Sequence, residues 1–162
     1  MRILVKNRHQ IEEMSKVGFD KHTALISIAD VGVGFAKLQK YPEFLLQVAF
    51  DDVDNDVFVD ELDRKPTDEE RITLEKKYKM LSDEQALQIA SFYFDNKDSI
   101  STLICQCEHG QARSATVAAA VMEFRSRRGI AIFSHDSYYP NKVVFRKVLS
   151  ALKECIPVYA EE

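Results

Sequence analysis

The chain has 162 residues, 46% hydrophobic and 30% charged, with a net charge of −4 and a pI of about 5.6. That composition suits one soluble domain with its own core and excludes a disordered chain. The mild acidity argues against sequence-independent nucleic-acid binding, which needs a basic face. No apolar run approaches the ~20 residues that cross a bilayer, so no membrane partner is expected. The apolar part of Met1–Lys6 is too short for a signal peptide, and a cytoplasmic location is the expectation. Three cysteines, an odd number with no Cys-x-x-Cys pair, read as reduced thiols rather than a disulfide framework or a metal site. No metal and no cofactor are expected.

Ile3–Val5 reads as a short strand. Asn7 is placed to cap a helix that carries Ile11, Met14 and Val17 on one face and stops at Gly18. Thr23–Ala29 is nearly continuously apolar, the pattern of a strand buried on both faces. A loop containing Gly32 and Gly34 follows, then a second buried strand, Phe44–Phe50, which runs into an acidic loop with Asp51, Asp52, Asp54 and Asp56. Residues 60–80 are highly charged, with Pro66 inside and capping-box spacing at Thr67 and Glu70. That stretch therefore reads as a charged surface insertion with a short exposed helix, either solvated or a lid or partner surface near the site.

A second capping box, Ser82 and Gln85, opens a helix with Ala86, Leu87, Ala90, Tyr93 and Phe94 at helical spacing. The apolar run 100–107 reads as a strand ending at Cys107. A helix from Ala115 to Arg128 follows and stops at Gly129, and Asn141 caps a last helix with Val144, Phe145, Val148, Leu149 and Leu152 on one face. Strands alternating with helices predict a single α/β domain over residues 1–162, with a mostly parallel sheet of four to five strands flanked by helices. In such sheets ligands sit at the carboxyl ends of the strands. Both the Asp51–Asp52 loop and the Cys107 loop leave their strands there.

The stretch from Cys107 to Ser114 carries the chemistry. A thiol ends a strand, five residues follow with Gly110 in the middle, and Arg113 and Ser114 stand at a helix start. Backbone N–H groups of a tight loop form a nest for phosphate oxygens, and the helix N-terminus adds its unpaired N–H groups and positive dipole end. The Arg113 guanidinium offers a planar fork for two oxygens, and Gly110 relieves the turn. Glu108, His109, Gly110, Gln111, Ala112 and Arg113 thus become the expected substrate-binding loop, with phosphate, sulfate or vanadate as its expected occupants. The same positive field favours the thiolate of Cys107, the nucleophilic form. Ser114 can donate to that sulfur and also reads as the helix N-cap. The leaving oxygen needs a proton, and the acidic loop after Phe44–Phe50 offers Asp51, Asp52, Asp54 and Asp56 without a local reason to choose.

Cys107-x5-Arg113-Ser114, with Gly110 at the third position after the cysteine, resembles the cysteine-dependent protein tyrosine phosphatase superfamily, in its compact dual-specificity-like branch with bacterial and phage-like members. Tyr139-Pro140-Asn141 before the last helix is similar to the same branch. The resemblance covers residues 1–155, with 56–80 as a charged insertion, and implies a protein-tyrosine-phosphatase-like fold with a CX5R phosphate-binding loop. It also implies phosphomonoester hydrolysis through a phosphocysteine, with a phosphorylated protein or small phosphomonoester as substrate. Family members carry Phe-Asp-Asp after the third strand with the second aspartate as proton donor, which implies Asp52 in Phe50-Asp51-Asp52. One departure is Gln106, where the family has histidine. His109 resembles RNA 5′-triphosphatases of the superfamily, while the absence of lysine from the loop argues against highly charged inositol substrates.

Three other readings compete: a phosphate-binding pseudophosphatase, an RNA or nucleotide 5′-phosphatase, and a thiol redox enzyme of the arsenate reductase kind. The last needs a resolving cysteine, for which Cys105 is the near candidate. Otherwise Cys105 and Cys155 read as core thiols, and His9, His22 and His135 as surface or satisfied polar residues.

Overall fold

The computed structural model describes residues 1–159, with side chains to residue 156; residues 160–162 lie outside the described part of the chain. Four strands form one sheet: β1 (Arg2–Asn7), β2 (Thr23–Ala29), β3 (Phe44–Ala49) and β4 (Thr102–Cys107). The order is β1-β4-β2-β3 and every pairing is parallel. All four strands therefore end on one edge. The register sets Asn7 opposite Cys107, Ser27 opposite Gln106, and Ala29 opposite Ala49. The two central strands, β2 and β4, are buried at every position, as their continuous apolar runs require.

Helix α1 (Arg8–Val17) covers one face, where Ile11 packs with Leu25, Ala36 and Ile104. Helices α4 (Asp83–Asn96), α5 (Arg113–Ser126) and α7 (Lys142–Tyr159) cover the other around the main core. Residues 113–121 of α5 are all buried, and the alanines there let the helix lie close to β4 and α7. Asn7 caps α1 with a full capping box to Gln10, and Gly18 (φ 113°) ends it. The boxes at Thr67/Glu70 and Ser82/Gln85 both form, at the starts of α3 (Asp68–Lys77) and α4. Asn141 caps α7, its Oδ1 accepting from the N–H groups of Val143 and Val144.

Three local features differ from the sequence expectation. Helix α5 begins at Arg113 with Ala112 at its N-cap, so Ser114 lies inside the first turn and is not the cap. Two short helices lack a clear pattern in the sequence: α2 (Asp56–Leu62) inside the acidic stretch and α6 (Ile130–Phe133). Helix α5 ends at Arg127 in the left-handed conformation, two residues before Gly129. That glycine answers to close packing: a Cβ there would sit 2.8 Å from the Ala119 carbonyl oxygen.

Candidate active site

The site lies on the carboxyl edge, where the sheet delivers Asn7, Asp30, Asp51, Asp52 and Cys107 from the ends of its four strands. Cys107 is buried, and its Sγ is 3.0 Å from Ser114 Oγ. Beyond it the chain turns through Gly110 at φ 64°. A Cβ at Gly110 would lie 2.8 Å from the Asn7 nitrogen and 2.9 Å from the Lys6 carbonyl carbon. The loop therefore presses directly on the end of β1, and only glycine satisfies both the backbone angle and the space.

Scaffold donors hold the loop's carbonyl groups. Gln106 Nε2 donates to the Cys107 carbonyl at 3.0 Å, and the Arg8 N–H donates to that of Glu108 at 3.2 Å. The Tyr139 N–H donates to Gln111 at 2.9 Å, while the Thr116 N–H and hydroxyl both donate to Ala112, at 2.8 and 2.6 Å. With these carbonyls turned outward, the backbone N–H groups of residues 108–113 have no hydrogen-bond acceptor among the described residues. That is the arrangement of an anion nest.

Arg113 is 5% exposed; its Nη1 donates to the Phe50 carbonyl at 2.7 Å and forms an ion pair with Asp30 Oδ1 at 2.7 Å. Its Nε is the one buried side-chain nitrogen or oxygen among the described residues with no partner. One end of the guanidinium is thus clamped, and a donor of the fork is left for a ligand. Asp30 was not a sequence candidate: it follows β2 in a loop, and nothing local marks its pairing with a residue so far along the chain.

Of the acidic candidates, Asp51 accepts from the Val31 N–H at 3.0 Å and Asp54 from the Asp56 N–H at 2.9 Å. Both thereby brace turns. Asp52 is exposed, and its Oδ1 accepts from Asn141 Nδ2 at 3.1 Å. Gln106 is fully buried and bridges Ser27, which donates to its Oε1 at 2.6 Å, and the Cys107 carbonyl. In this position it fixes the base of the loop with no titrating group.

Around the loop's rim, Arg8 Nε pairs with Glu108 at 2.6 Å and Arg8 Nη2 donates to the Gly34 carbonyl at 2.7 Å. Asn7, Arg8, His9, Glu12, Glu108, His109 and Gln111 line a shallow recess of about 330 Å³ beside the loop. A larger hollow of about 440 Å³ between α3, α4 and α7 shares no residue with the loop. The remaining thiols are core residues. Burial pushes Cys105 up to about 12, which keeps it protonated and a poor resolving nucleophile, and Cys155 packs in the main core. Among the described residues no group of histidine, cysteine and carboxylate side chains has metal-site geometry, and no helix is long and apolar enough to cross a membrane.

No known family profile and no curated protein matches the sequence. Solved structures do. The crystal structure of PTPMT1 in complex with PI(5)P aligns over 97% of this chain and 94% of its own, at 8% identity and a TM-score of 0.52. A second crystal structure of PTPMT1 aligns over 99% and 96%, at 10% identity and a TM-score of 0.46. TpbA of P. aeruginosa aligns over 94% and 80%, at 13% identity and a TM-score of 0.44. PTPMT1 is of the protein tyrosine and dual-specificity phosphatase type, and this chain has that fold.

Proposed function

We propose that the chain is a cysteine-dependent phosphomonoester hydrolase of the protein tyrosine and dual-specificity phosphatase type. The observation that carries this reading is the buried Nε of Arg113 beside the amides of the loop, both without partners among the described residues. A buried donor without a partner costs about 1–3 kcal/mol, and an oxyanion in the loop removes that cost.

In the reading, the Cys107 thiolate attacks phosphorus in line and the bond from phosphorus to the leaving oxygen breaks. Arg113 and the loop amides hold the equatorial oxygens as charge develops. Asp52 transfers its proton to the departing oxygen, so the phosphate is left on sulfur and Asp52 is ionised. Asp52 then takes a proton from water, whose oxygen attacks phosphorus and breaks the phosphorus–sulfur bond. Ser114, 3.0 Å from the sulfur, donates to the departing thiolate. No step requires a metal.

The substrate class is a phosphorylated protein or a small phosphomonoester. In the recess beside the loop, Glu12 and Glu108 both pair with Arg8, which leaves no surplus of positive charge there for a polyanionic ester. The phosphoinositide bound by PTPMT1 is accordingly a comparison substrate, as are nucleotides and 5′-phosphorylated RNA, given His109 at the rim. The test is hydrolysis of an aryl phosphate and of this panel without added metal. Cys107→Ser abolishes turnover and keeps vanadate or phosphate binding. Turnover that survives the substitution refutes the mechanism. Oxyanion binding without turnover between pH 5 and 8 selects a binding module instead.

A further inference from the structure

The sequence marks Asn141 only as a helix cap, but its side chain has a second set of bonds. Its Oδ1 accepts from the N–H groups of Val143 and Val144, which is the capping role. Its Nδ2 donates away from the helix, to Asp52 Oδ1 at 3.1 Å and to the Val53 carbonyl at 2.9 Å. Its backbone N–H donates to Thr116 Oγ1 at 2.8 Å, and that hydroxyl donates to the carbonyl of Ala112 in the phosphate loop at 2.6 Å. A single strap of hydrogen bonds thus runs from the phosphate loop, through Thr116 and Asn141, to the carboxyl group of Asp52.

Asn141 is 5% exposed and Thr116 is fully buried, so both anchors are fixed in the packed body of the protein. Asp52 sits on an exposed loop with no rigid element of its own. An unanchored carboxyl there would sample many positions, and proton transfer requires one.

We propose that Asn141 is the positioning residue for the general acid, setting the height and direction of Asp52 over the phosphate loop. The inference rests on the phosphatase reading above. Nδ2 bonds one oxygen of Asp52, which leaves the other to carry the proton to the leaving group.

Asn141→Ser separates this role from capping, since serine caps a helix as well as asparagine but is too short to reach Asp52. The readout is kcat/KM, which covers the chemistry up to departure of the leaving group, measured on aryl phosphates with poor and good leaving groups. A good leaving group departs without a proton. The expected result is a fall of about 30-fold for the poor leaving group, part of the 10²–10⁴ that general acid catalysis supplies, and less than threefold for the good one. Asp52→Asn is expected to show the same split, more steeply. Asn141→Asp keeps the cap and sets a second carboxylate against Asp52. Like charges favour the protonated acid, so the alkaline limb of its pH profile is expected to move to higher pH.

An equal fall on both substrates in Asn141→Ser, with a split in Asp52→Asn, overturns the positioning role and leaves the phosphatase reading standing. No split in Asp52→Asn overturns the role as well, because the acid then lies elsewhere. Failure of the phosphatase reading shows separately, as turnover that survives Cys107→Ser.

Discussion

The Cys107 loop, residues 107–114, and the charged segment of residues 56–80 meet the sheet on the same edge and are held by different means. In the loop, the polar contacts are few and mostly buried: Gln106 to the Cys107 carbonyl, Thr116 to the Ala112 carbonyl, Arg113 to Asp30 and the Phe50 carbonyl. In the segment, most polar contacts are exposed: Arg64 with Glu70, Lys77 and Tyr78 with Glu61, and Arg71 with Asp68, while Glu75 with Lys147 is partly buried. Exposed pairs contribute little individually because water and salt screen them. The segment's attachment to the body is mainly apolar, with the Glu75–Lys147 pair beside it. Phe58, Leu74 and Met80 form a small core with Val53 and Val143, and the Asp51 N–H donates to the Lys79 carbonyl at 2.8 Å. The contrast teaches that charge density in a sequence says little about where a structure is rigid. Rigidity follows burial, and here the buried part of the charged segment braces the loop that carries Asp52.

The largest expected effect tests the loop's side of this contrast. Gly110→Ala forces a side chain into the left-handed region and into the Asn7 nitrogen and Lys6 carbonyl carbon, at 2.8 and 2.9 Å. Backbone at the end of a central sheet cannot yield cheaply, so the loop moves instead. A displacement of about 1 Å costs about 100-fold in rate, and strain of this kind costs roughly 1–3 kcal/mol. Aryl phosphate turnover and vanadate affinity are expected to fall together. Retention of both would mean that the loop is softer than its packing implies.

Phe58→Ala tests the segment's side. Phe58 is 1% exposed in the satellite core, and such truncations cost about 3–5 kcal/mol. Because the cluster includes Val53, next to Asp52, the loss is expected to reach Asp52, the proposed acid. Denaturant unfolding should show the destabilisation. kcat/KM should drop severalfold for poor leaving groups and little for good ones. Unchanged kinetics would sever the segment from the site and leave it a surface feature.

Legibility in the sequence divides along the same line. Thr23–Ala29 and the strand ending at Cys107 were readable because burial on both faces leaves a continuous apolar run. The caps at Asn7, Thr67, Ser82 and Asn141 were readable because capping is local, three residues long at most. Helix α2 was not readable, being seven residues in an acidic stretch with no side-chain cap bond at Asn55. The Ser114 cap expectation failed because the loop's own geometry starts the helix at Arg113. Cys107, Gly110 and Arg113 lie within one short motif and were named from it. Asp30, Arg8 and the second role of Asn141 were not, since each acts on residues far away in the chain. The Arg8–Glu108 pair spans 100 positions, and only the parallel sheet brings its two ends together.

The smallest expected effect concerns the segment's surface, and its value lies in its pH dependence. The Arg64 side chain and the Thr67 backbone N–H hold the carboxyl of Glu70 down at about 2, from an ordinary value of 4.5. A carboxyl depressed by folding adds stability that is present above its unfolded value and lost as pH falls through the folded one. The contribution is therefore complete at neutral pH and disappears between about pH 4.5 and pH 2. Glu70→Gln keeps the capping box, since glutamine serves at that position, and removes the charge together with one of the two acceptors facing Arg64. At pH 7 the variant is expected to melt slightly below the wild type, by far less than Phe58→Ala, with turnover unchanged. As the pH drops through that window the wild type loses its advantage and the two melting curves converge. Salt at about 1 M, where screening acts within ~3 Å, should narrow the gap at pH 7. A gap that persists in acid or in salt would mean that Glu70 acts through packing, and the segment's surface would then share the loop's mode of attachment.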